Sequence, residues 1–229
     1  MAHRFTRAPL TAVLAALIAA APLGAQWQGV VTFHNQQGVA DEAVAQDFDY
    51  YQGPPGIAKM VVRDAQQGPT AIIFSKSANT ATVVMTKQQM YMTMPLSVTQ
   101  SEVQKRMAET KITATGKTDV VAGHQCAYYH VVDPADSTEG DACIASDMGT
   151  FAMFDAPSRG GGGGGNAMSF WKQLFASKSG GFFPLKMTSM KNGKVQDTME
   201  ATSIQEKSIA ASEFAVPAGY KAMGGMGRP

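Results

Sequence analysis

The sequence is rich in thioether sulfur, because fifteen of its 229 residues are methionine. Met90, Met92 and Met94 alternate with Tyr91 and Thr93 in a segment of β-type residues. Side chains two positions apart in a strand point to the same face, so these three thioethers are predicted to share one face. Such a face can pack against apolar molecules, and soft sulfur ligands also suit monovalent copper.

Other methionines lie in further predicted strands, and three aromatic residues lie in a segment able to cover the same face. We predict from them a concave apolar ligand surface, with no metal ligand assigned. Its residues are Met85, Met90, Met92, Met94, Phe170, Trp171, Phe175, Met187 and Met199. Three interpretations remain open: an ordinary core, a surface for an acyl chain or other apolar ligand, and a copper site. The copper site would be assisted by Met223 and Met226 of the tail and by His34, His124 or His130.

The two cysteines, Cys126 and Cys143, lack the CxxC partner of a redox site and a histidine at the spacing of zinc ligands. If residues 133–136 form a hairpin turn, Val132 lies opposite Ser137, and Cys126 lies directly opposite Cys143. Opposed strand residues are close enough for a disulfide. We therefore predict a disulfide, which stabilises a loop of this size by about 3 kcal/mol in the chain-entropy model.

The chain contains no recognisable catalytic motif. None of its four histidines stands in an HExxH helix or beside a GxSxG turn, and its carboxylates form no acid and base pair. Residues 159–166, with six consecutive glycines, lack the Lys-Ser or Lys-Thr pair of a phosphate-binding loop, so we predict a flexible surface loop. The sequence predicts a protein that is not an enzyme and uses no cofactor.

The N-terminus has the three parts of a secretory signal peptide. Arg4 and Arg7 supply the basic start, residues 10–21 the apolar run, and Ala25 the cleavage position. The apolar run is about half of the roughly 20 residues needed to span a bilayer. We predict cleavage near Ala25 and a periplasmic or secreted protein without a lipid anchor, since Gln26 stands where a lipoprotein needs cysteine.

Removal of residues 1–25 leaves 204 of the 229 residues, enough for a single domain with its own core. Arg4 and Arg7 are lost, so 17 Lys and Arg remain against 18 Asp and Glu, a net charge of −1. This balance excludes binding to nucleic acid or to anionic membranes, and no later apolar run is long enough for a membrane span. We predict one β-rich domain over residues 26–222 and a loose tail over 223–229.

Short β-type segments separated by turn residues dominate the chain. Strands are predicted at 27–34, 44–52, 57–64, 70–75, 80–86, 88–94, 111–121, 125–133, 137–145, 181–191 and 194–206. Helices are predicted at 97–109, where apolar residues are spaced among polar ones, and at 147–156 and 166–175. The predicted fold class is α+β and mainly antiparallel: a curved sheet or half-open barrel with two or three helices on one side.

Four stretches carry a family resemblance. They are residues 90–95 (MYMTMP), 112–118 (ITATGKT) running into 121–126 (VAGHQC), 182–185 (FFPL) and 214–220 (FAVPAGY). Together and in this order they resemble a bacterial family known only as domain of unknown function 4412. The resemblance implies an exported β-rich domain without an assigned activity. Members are similar in outline to periplasmic lipoprotein carriers, whose half-open barrel holds acyl chains, but a shared fold transfers no site.

The sequence therefore favours an exported, non-enzymatic domain that binds an apolar small molecule, an acyl chain or a lipidated partner protein on its methionine face. Two alternatives remain open: a periplasmic copper-handling protein that uses the methionine cluster, and a structural module of the cell envelope. The shape of the sheet distinguishes a structural module from a binding protein. A filled core beneath the methionines favours structure, and an open apolar surface favours a carrier.

Overall fold

The computed structural model describes residues 27–38, 43–63, 68–95, 111–134, 137–151 and 181–223. These residues form twelve strands and one 3-10 helix, Ala211–Phe214. The strands are β1 (Gly29–Gln37), β2 (Val44–Gln52), β3 (Ile57–Val62), β4 (Thr70–Ser75), β5 (Thr80–Met85), β6 (Met90–Pro95), β7 (Lys111–Val121), β8 (His124–Asp133), β9 (Thr138–Ala145), β10 (Phe183–Lys191), β11 (Lys194–Glu206) and β12 (Lys221–Ala222).

All twelve strands belong to one sheet, in the order β12-β6-β5-β4-β3-β2-β1-β11-β10-β9-β8-β7. Consecutive strands pair with each other from β1 to β6 and from β7 to β11, so the sheet consists of two meanders joined by the β1–β11 pair. A tight turn joins β10 to β11, where Asn192 and Gly193 both adopt positive φ. The short β12 adds in parallel to β6, and all other pairs are antiparallel.

The predicted strands are confirmed along the described chain. The predicted ranges 44–52, 70–75, 111–121 and 194–206 coincide with β2, β4, β7 and β11, and the others differ by a few residues at their ends. β12 was not predicted, because two exposed residues at a chain end carry no alternating pattern.

The predicted α+β class, with two or three helices on one side, is wrong: the described residues form strands and one 3-10 helix, with no α-helix among them. Two of the predicted helices, at 97–109 and 166–175, lie outside the described residues. The third does not form over residues 147–151, because the backbone there pairs with a neighbouring segment. The Phe151 N–H donates to the Phe182 carbonyl at 3.0 Å, and the Gly181 N–H donates to the Ser146 carbonyl at 2.9 Å.

One face of the sheet, called here the inner face, carries the main core. Because paired residues share a face, the register assigns alternate residues of every strand to it, including Val31, Phe33, Phe48 and Tyr50. Met148 and Phe151 from the chain between β9 and β10 join this core. The Phe151 ring lies 4.2 Å from the Tyr50 ring and 5.1 Å from the Phe183 ring, centroid to centroid. Loop side chains thus fill the middle of the inner face.

The opposite face, called here the outer face, holds a second apolar cluster beneath the C-terminal segment. Ile209 and Phe214 are buried there against Val30, Ile73 and Val84. The segment is also held by an ion pair between Lys59 Nζ and Glu213 Oε2 at 2.8 Å. The C-terminal segment crosses the outer face and reaches the outer edge of β6, where β12 forms.

The disulfide between Cys126 and Cys143 is present, with the two Cα atoms 5.2 Å apart. The predicted register of its hairpin is wrong by two residues, because Tyr128, and not Cys126, lies opposite Cys143. Asp133 pairs with Thr138 instead of beginning the turn. Pro134 follows directly and Ser137 closes the loop with φ of 53°, so the turn starts one residue later than predicted.

Several predictions concern residues outside the described ranges. The signal peptide at 1–25, the glycine-rich loop at 159–166 and residues 224–229 of the tail lie there, and these assignments stay predictions. Within the described residues, no helix has the length and apolar character needed to cross a membrane.

Candidate ligand surface

Methionines cluster at the β6 end of the inner face. Met85 lies directly opposite Met90, and Met92 lies opposite Val83. With Ile72, which lies opposite Val83 on β4, these side chains are only partly buried. We call this set, Ile72, Val83, Met85, Met90 and Met92, the methionine surface. It is an apolar patch on three adjacent strands whose side chains are not fully covered.

Met94 continues the same row but packs against the main core. It lies opposite Ala81, which is 3% exposed. The methionine surface is therefore continuous with the core at one end and open at the other.

Met223 extends this surface, although the sequence had assigned it to the loose tail. Lys221 pairs with Met90, and the Met223 N–H donates to the Tyr91 carbonyl at 2.8 Å. Two residues beyond Lys221, Met223 is on the inner face beside Met92, and it is 38% exposed. The sequence had named Met223 only as a tail residue in the copper alternative. Its position beside Met92 follows from the spacing of Lys221 and Met223 once the partner strand is known.

Met187 and Met199 are also on the inner face, directly opposite each other in β10 and β11. Both belong to or pack against the main core, and Met199 is 7% exposed. In the sheet order, β11 is six strands from β6, with β1 to β5 between them. The structure therefore brings Met187 and Met199 together but not to the methionine surface. The predicted covering residues Phe170, Trp171 and Phe175 lie outside the described residues.

Trp27 lies over the inner face just before β1, and sequence reasoning missed its part in the core. Its ring contacts the Phe183 ring edge to face at 5.9 Å and is 9% exposed. A Cβ added to Gly29 would lie 2.6 Å from two carbons of the indole, so only glycine allows the ring this close to the strand. The indole Nε1–H has no hydrogen-bond partner within the described part of the chain.

Gln52 and Asp197 are polar residues of the inner face with buried or partly buried side chains. The Tyr50 hydroxyl donates to Gln52 Oε1 at 2.8 Å, which satisfies that buried carbonyl oxygen. Asp197 lies between Gln37 of β1 and Ser189 of β10. Burial raises the pKa of the Asp197 carboxyl above its usual range, because the charged form loses hydration there.

The histidines named as possible copper ligands are not near the methionines. His34 Nδ1 lies 2.7 Å from Asp47 Oδ1, and His130 Nδ1 lies 2.8 Å from Asp141 Oδ1, both across neighbouring strands of the outer face. His124, in β8, shares the face of His130 by alternation. Among the described residues, no group of three His, Cys, Asp or Glu side chains is placed to hold a metal ion.

Residues 43–220 match the model of a family described as Domain of unknown function (DUF4412). The chain belongs to this family. The match begins just before β2 and ends at Tyr220, so it covers most of the sheet and the whole methionine surface, while Met223 lies beyond it. No curated protein has a sequence that matches this DUF4412 chain. The family has no assigned function, so the site must be argued from its own geometry.

Solved structures share the fold of this DUF4412 domain at very low sequence identity. An uncharacterized conserved protein from Thermus thermophilus is 6% identical with a TM-score of 0.53, covering 86% of this chain and 90% of that one. A chain in the complex of Pseudomonas aeruginosa MucA and MucB is 9% identical with a TM-score of 0.50, covering 85% and 57%. A LolA superfamily protein from Nitrosomonas europaea is 8% identical and has a TM-score of 0.38, covering 83% of this chain and 90% of that one. At such low identities, the structural similarity shows a shared fold and does not show a shared function.

Proposed function

We propose that this DUF4412 domain is an exported, non-enzymatic binding protein that holds an acyl chain, free or attached to a lipidated partner protein, on the methionine surface. The observation that carries the proposal is the partly exposed apolar patch around Met85, Met90 and Met92. Contiguous apolar side chains left open to solvent are typical of binding sites.

The residue types at this surface suit a flexible hydrocarbon. Methionine is unbranched and polarisable, so its side chain adapts to ligands of varied shape. Burying apolar area contributes about 25 cal/mol per Å², so covering a few of these side chains yields several kcal/mol. Lys221, exposed on the same face beside Met90, places a positive charge at the border, where an anionic head group or a phosphate would lie.

The compartment and the fold support a carrier or partner-binding role. A disulfide such as Cys126–Cys143 is typical of proteins in oxidising compartments, in agreement with the predicted signal peptide. A similar fold occurs in the MucA/MucB complex, which is an assembly of two proteins. A protein partner is compatible with this fold, and we include a partner that carries an acyl chain among the ligands we propose.

A double substitution of Met90→Gln and Met92→Gln tests the proposal. Glutamine keeps the unbranched shape but adds an amide that must be desolvated, so the affinity for a fluorescent fatty acid should fall. We expect a loss of about 2 kcal/mol, roughly thirtyfold in Kd. Fluorescence titration of the mature protein measures it.

Val120→Gln is the matched control for this variant. Val120 is 65% exposed on β7, the opposite end of the sheet, so its substitution should leave the affinity unchanged. Native mass spectrometry of protein purified from its own cell envelope adds an independent measurement, with a bound lipid or a copurified lipidated protein expected. Wild-type protein that is repeatedly recovered empty and takes up no fatty acid contradicts the proposal.

Copper handling is tested in the same variant. The direct pairing of Met85 with Met90 places two thioethers together, yet no described histidine joins them. Titration with monovalent copper under reducing conditions should show no difference between wild type and the double variant. Tight binding that is lost in the variant favours copper instead of an acyl chain, and binding of neither ligand leaves a structural module.

A further inference from the structure

The chain uses methionine in place of leucine, which is among the commonest residues of ordinary globular proteins. Without Met1, fourteen of the fifteen methionines remain, whereas residues 26–229 contain three leucines, Leu96, Leu174 and Leu185. The two side chains have similar volumes and replace each other in cores at little cost in stability. Volume and apolar character therefore do not explain the choice of methionine. Methionine adds a flexible thioether, and its sulfur can be oxidised reversibly.

The thioethers of the chain differ in their exposure to solvent. Met85, Met90 and Met92 of the methionine surface are partly exposed, and Met223 beside them is 38% exposed. Three methionines of the main core are 8% exposed or less: Met60, Met148 and Met199. An oxidant in solution therefore reaches the sulfur atoms of the methionine surface and is kept away from those of the core.

Cysteine does not compete with these thioethers for an oxidant. The chain has two cysteines, and the Cys126–Cys143 disulfide contains both of them. A disulfide has no thiolate, which is the form of cysteine that peroxides attack. An exported protein also lies outside the reducing systems that keep cytosolic thiols reduced. The exposed thioethers are therefore the sulfur atoms of this protein on which a two-electron oxidant acts first.

We propose that the methionine surface is a reversible oxidation site, where a hydroperoxide converts the thioethers of Met90 and Met92 to sulfoxides and so releases the acyl chain. A sulfur lone pair attacks the terminal peroxide oxygen, so that an S–O bond forms and the O–O bond breaks. The proton of that oxygen passes to the leaving oxygen, which departs as water or an alcohol. Sulfur loses two electrons, and the peroxide gains them. This inference rests on the proposed function and adds regulation of the same site.

The surroundings of Met92 explain why oxidation would release the ligand. Met92 lies opposite Val83 on one side and beside Met223 on the other, and neither side chain has a hydrogen-bond donor. The oxygen of a sulfoxide is a strong acceptor, so at this position it needs water as its partner. An acyl chain lying on the surface would exclude that water. Ligand binding and a sulfoxide at Met92 therefore oppose each other.

Graded treatment of the delipidated mature protein with hydrogen peroxide tests the site directly. Peptide mass spectrometry measures the sulfoxide at each methionine, and fluorescence titration measures the Kd of a fluorescent fatty acid in the same samples. We expect Met90 and Met92 to be oxidised about tenfold faster than Met148 and Met199, because susceptibility follows exposure. The Kd should rise about thirtyfold when both exposed residues are sulfoxides, since two polar groups must then be desolvated.

A variant without the exposed thioethers separates this effect from general damage. It replaces four residues by leucine, which keeps the apolar character but cannot form a sulfoxide: Met85, Met90, Met92 and Met223. We expect it to bind the fatty acid before peroxide treatment and to keep its Kd afterwards. The matched control is Met187→Leu with Met199→Leu, a directly opposed pair that packs in the core, and it should lose affinity as wild type does.

Repair of the oxidised wild type gives the same information if the leucine variant binds poorly from the start. Methionine sulfoxide reductases for the two sulfoxide epimers, supplied with a dithiol, return the thioether and release water while the dithiol becomes a disulfide. We expect the original Kd to return. The dithiol alone is the control, because it can also act on the Cys126–Cys143 disulfide.

The outcomes separate this inference from the proposed function. Unchanged affinity in wild type that carries sulfoxides at Met90 and Met92 overturns the oxidation site and leaves the acyl site intact. Equal oxidation of the buried methionines also overturns it, and so does the same loss of affinity in the leucine variant, because the loss then reflects general damage. An affinity that the reductases do not restore overturns its reversibility. If untreated wild type binds no fatty acid, the proposed function fails, and the regulation fails with it.

Discussion

At the scale of single residues, the inner face combines an apolar surface with a small number of polar groups whose environments differ. Gln52 is buried and receives a hydrogen bond from Tyr50, so its carbonyl is satisfied inside the core. Trp27 has a buried donor without an acceptor among the described residues, and Asp197 has a carboxyl whose charged form is poorly hydrated. The first arrangement stabilises the fold, and the other two lower its stability.

Asp197→Asn should stabilise the protein at neutral pH. Burial raises the pKa of this carboxyl, so the folded chain binds its proton more tightly than the unfolded chain does. The wild type is therefore favoured when Asp197 is protonated and loses stability as the pH rises through the folded-state pKa. Asparagine cannot ionise, so the variant avoids that loss.

Urea unfolding from about pH 4, near the usual aspartate pKa, to pH 7 measures the difference. We expect the free energy of unfolding of the variant to exceed that of wild type at pH 7, and the difference to shrink towards pH 4. Glu139→Gln, at an exposed position in β9, is the control for the loss of any carboxylate. A variant that is less stable than wild type at pH 7 contradicts this account.

At the scale of the elements, the strands were predictable from the sequence and their long-range pairing was not. Alternation and turn residues such as Asn192 and Gly193 act locally, so strand positions could be read directly. The hairpin of β8 and β9 was placed correctly, but its register depends on the residue at which the turn begins. Asp133 is buried and paired, and the turn begins only at Pro134.

The candidate site was predictable to the same extent. Alternation placed Met90, Met92 and Met94 on one face, but packing between distant segments decides which of them is covered. The position of Met223 on the inner face and the role of Trp27 were missed, because they depend on contacts with Tyr91 and Phe183, which are far away along the chain. A helix over residues 147–151 was predicted wrongly because pairing with Phe182 competes with it.

Removal of the disulfide should destabilise the hairpin of β8 and β9 and, through it, the whole sheet. For Cys126→Ser with Cys143→Ser, we expect the free energy of unfolding to fall by about 3 kcal/mol, from the 17-residue separation of the cysteines. Urea unfolding measures the change.

Wild type in the presence of reductant provides the control for this pair of substitutions. It should lose nearly the same stability, and the double variant should not respond to reductant. A loss of less than about 1 kcal/mol in both cases would show that the strand pairing holds these elements together without the covalent link.

At the scale of the whole molecule, the two edges of the sheet are protected in different ways. β7 forms one edge, and its register with β8 is interrupted between Ala114 and Thr118, where Gly116 has φ of 74°. Such a bulge, with Lys117 beside it, discourages pairing with another chain. The opposite edge, at β6, is covered by the short β12. The sheet therefore stays open without offering a long regular edge.

Truncation after Tyr220 should cause self-association, because it uncovers the edge of β6 and the methionines along it. We expect dimers or larger species whose fraction grows with protein concentration in sedimentation velocity experiments. The matched control ends after Met223, which keeps every described residue of β12. Equal sedimentation of the two truncated chains at all concentrations would contradict the role of β12 as an edge cover.

The position of β1 in the middle of the sheet has a consequence for the order of folding. β1 pairs with β2, which follows it at once, and with β11, which is made last among the long strands. During synthesis or passage through a membrane pore, the first meander can assemble as it emerges, but the edge of β1 that pairs with β11 stays unpaired until almost the entire chain has emerged. Pairing of such distant segments is intrinsically slow. The nascent molecule is therefore most exposed to aggregation just before β11 arrives, and that interval is where a chaperone would act.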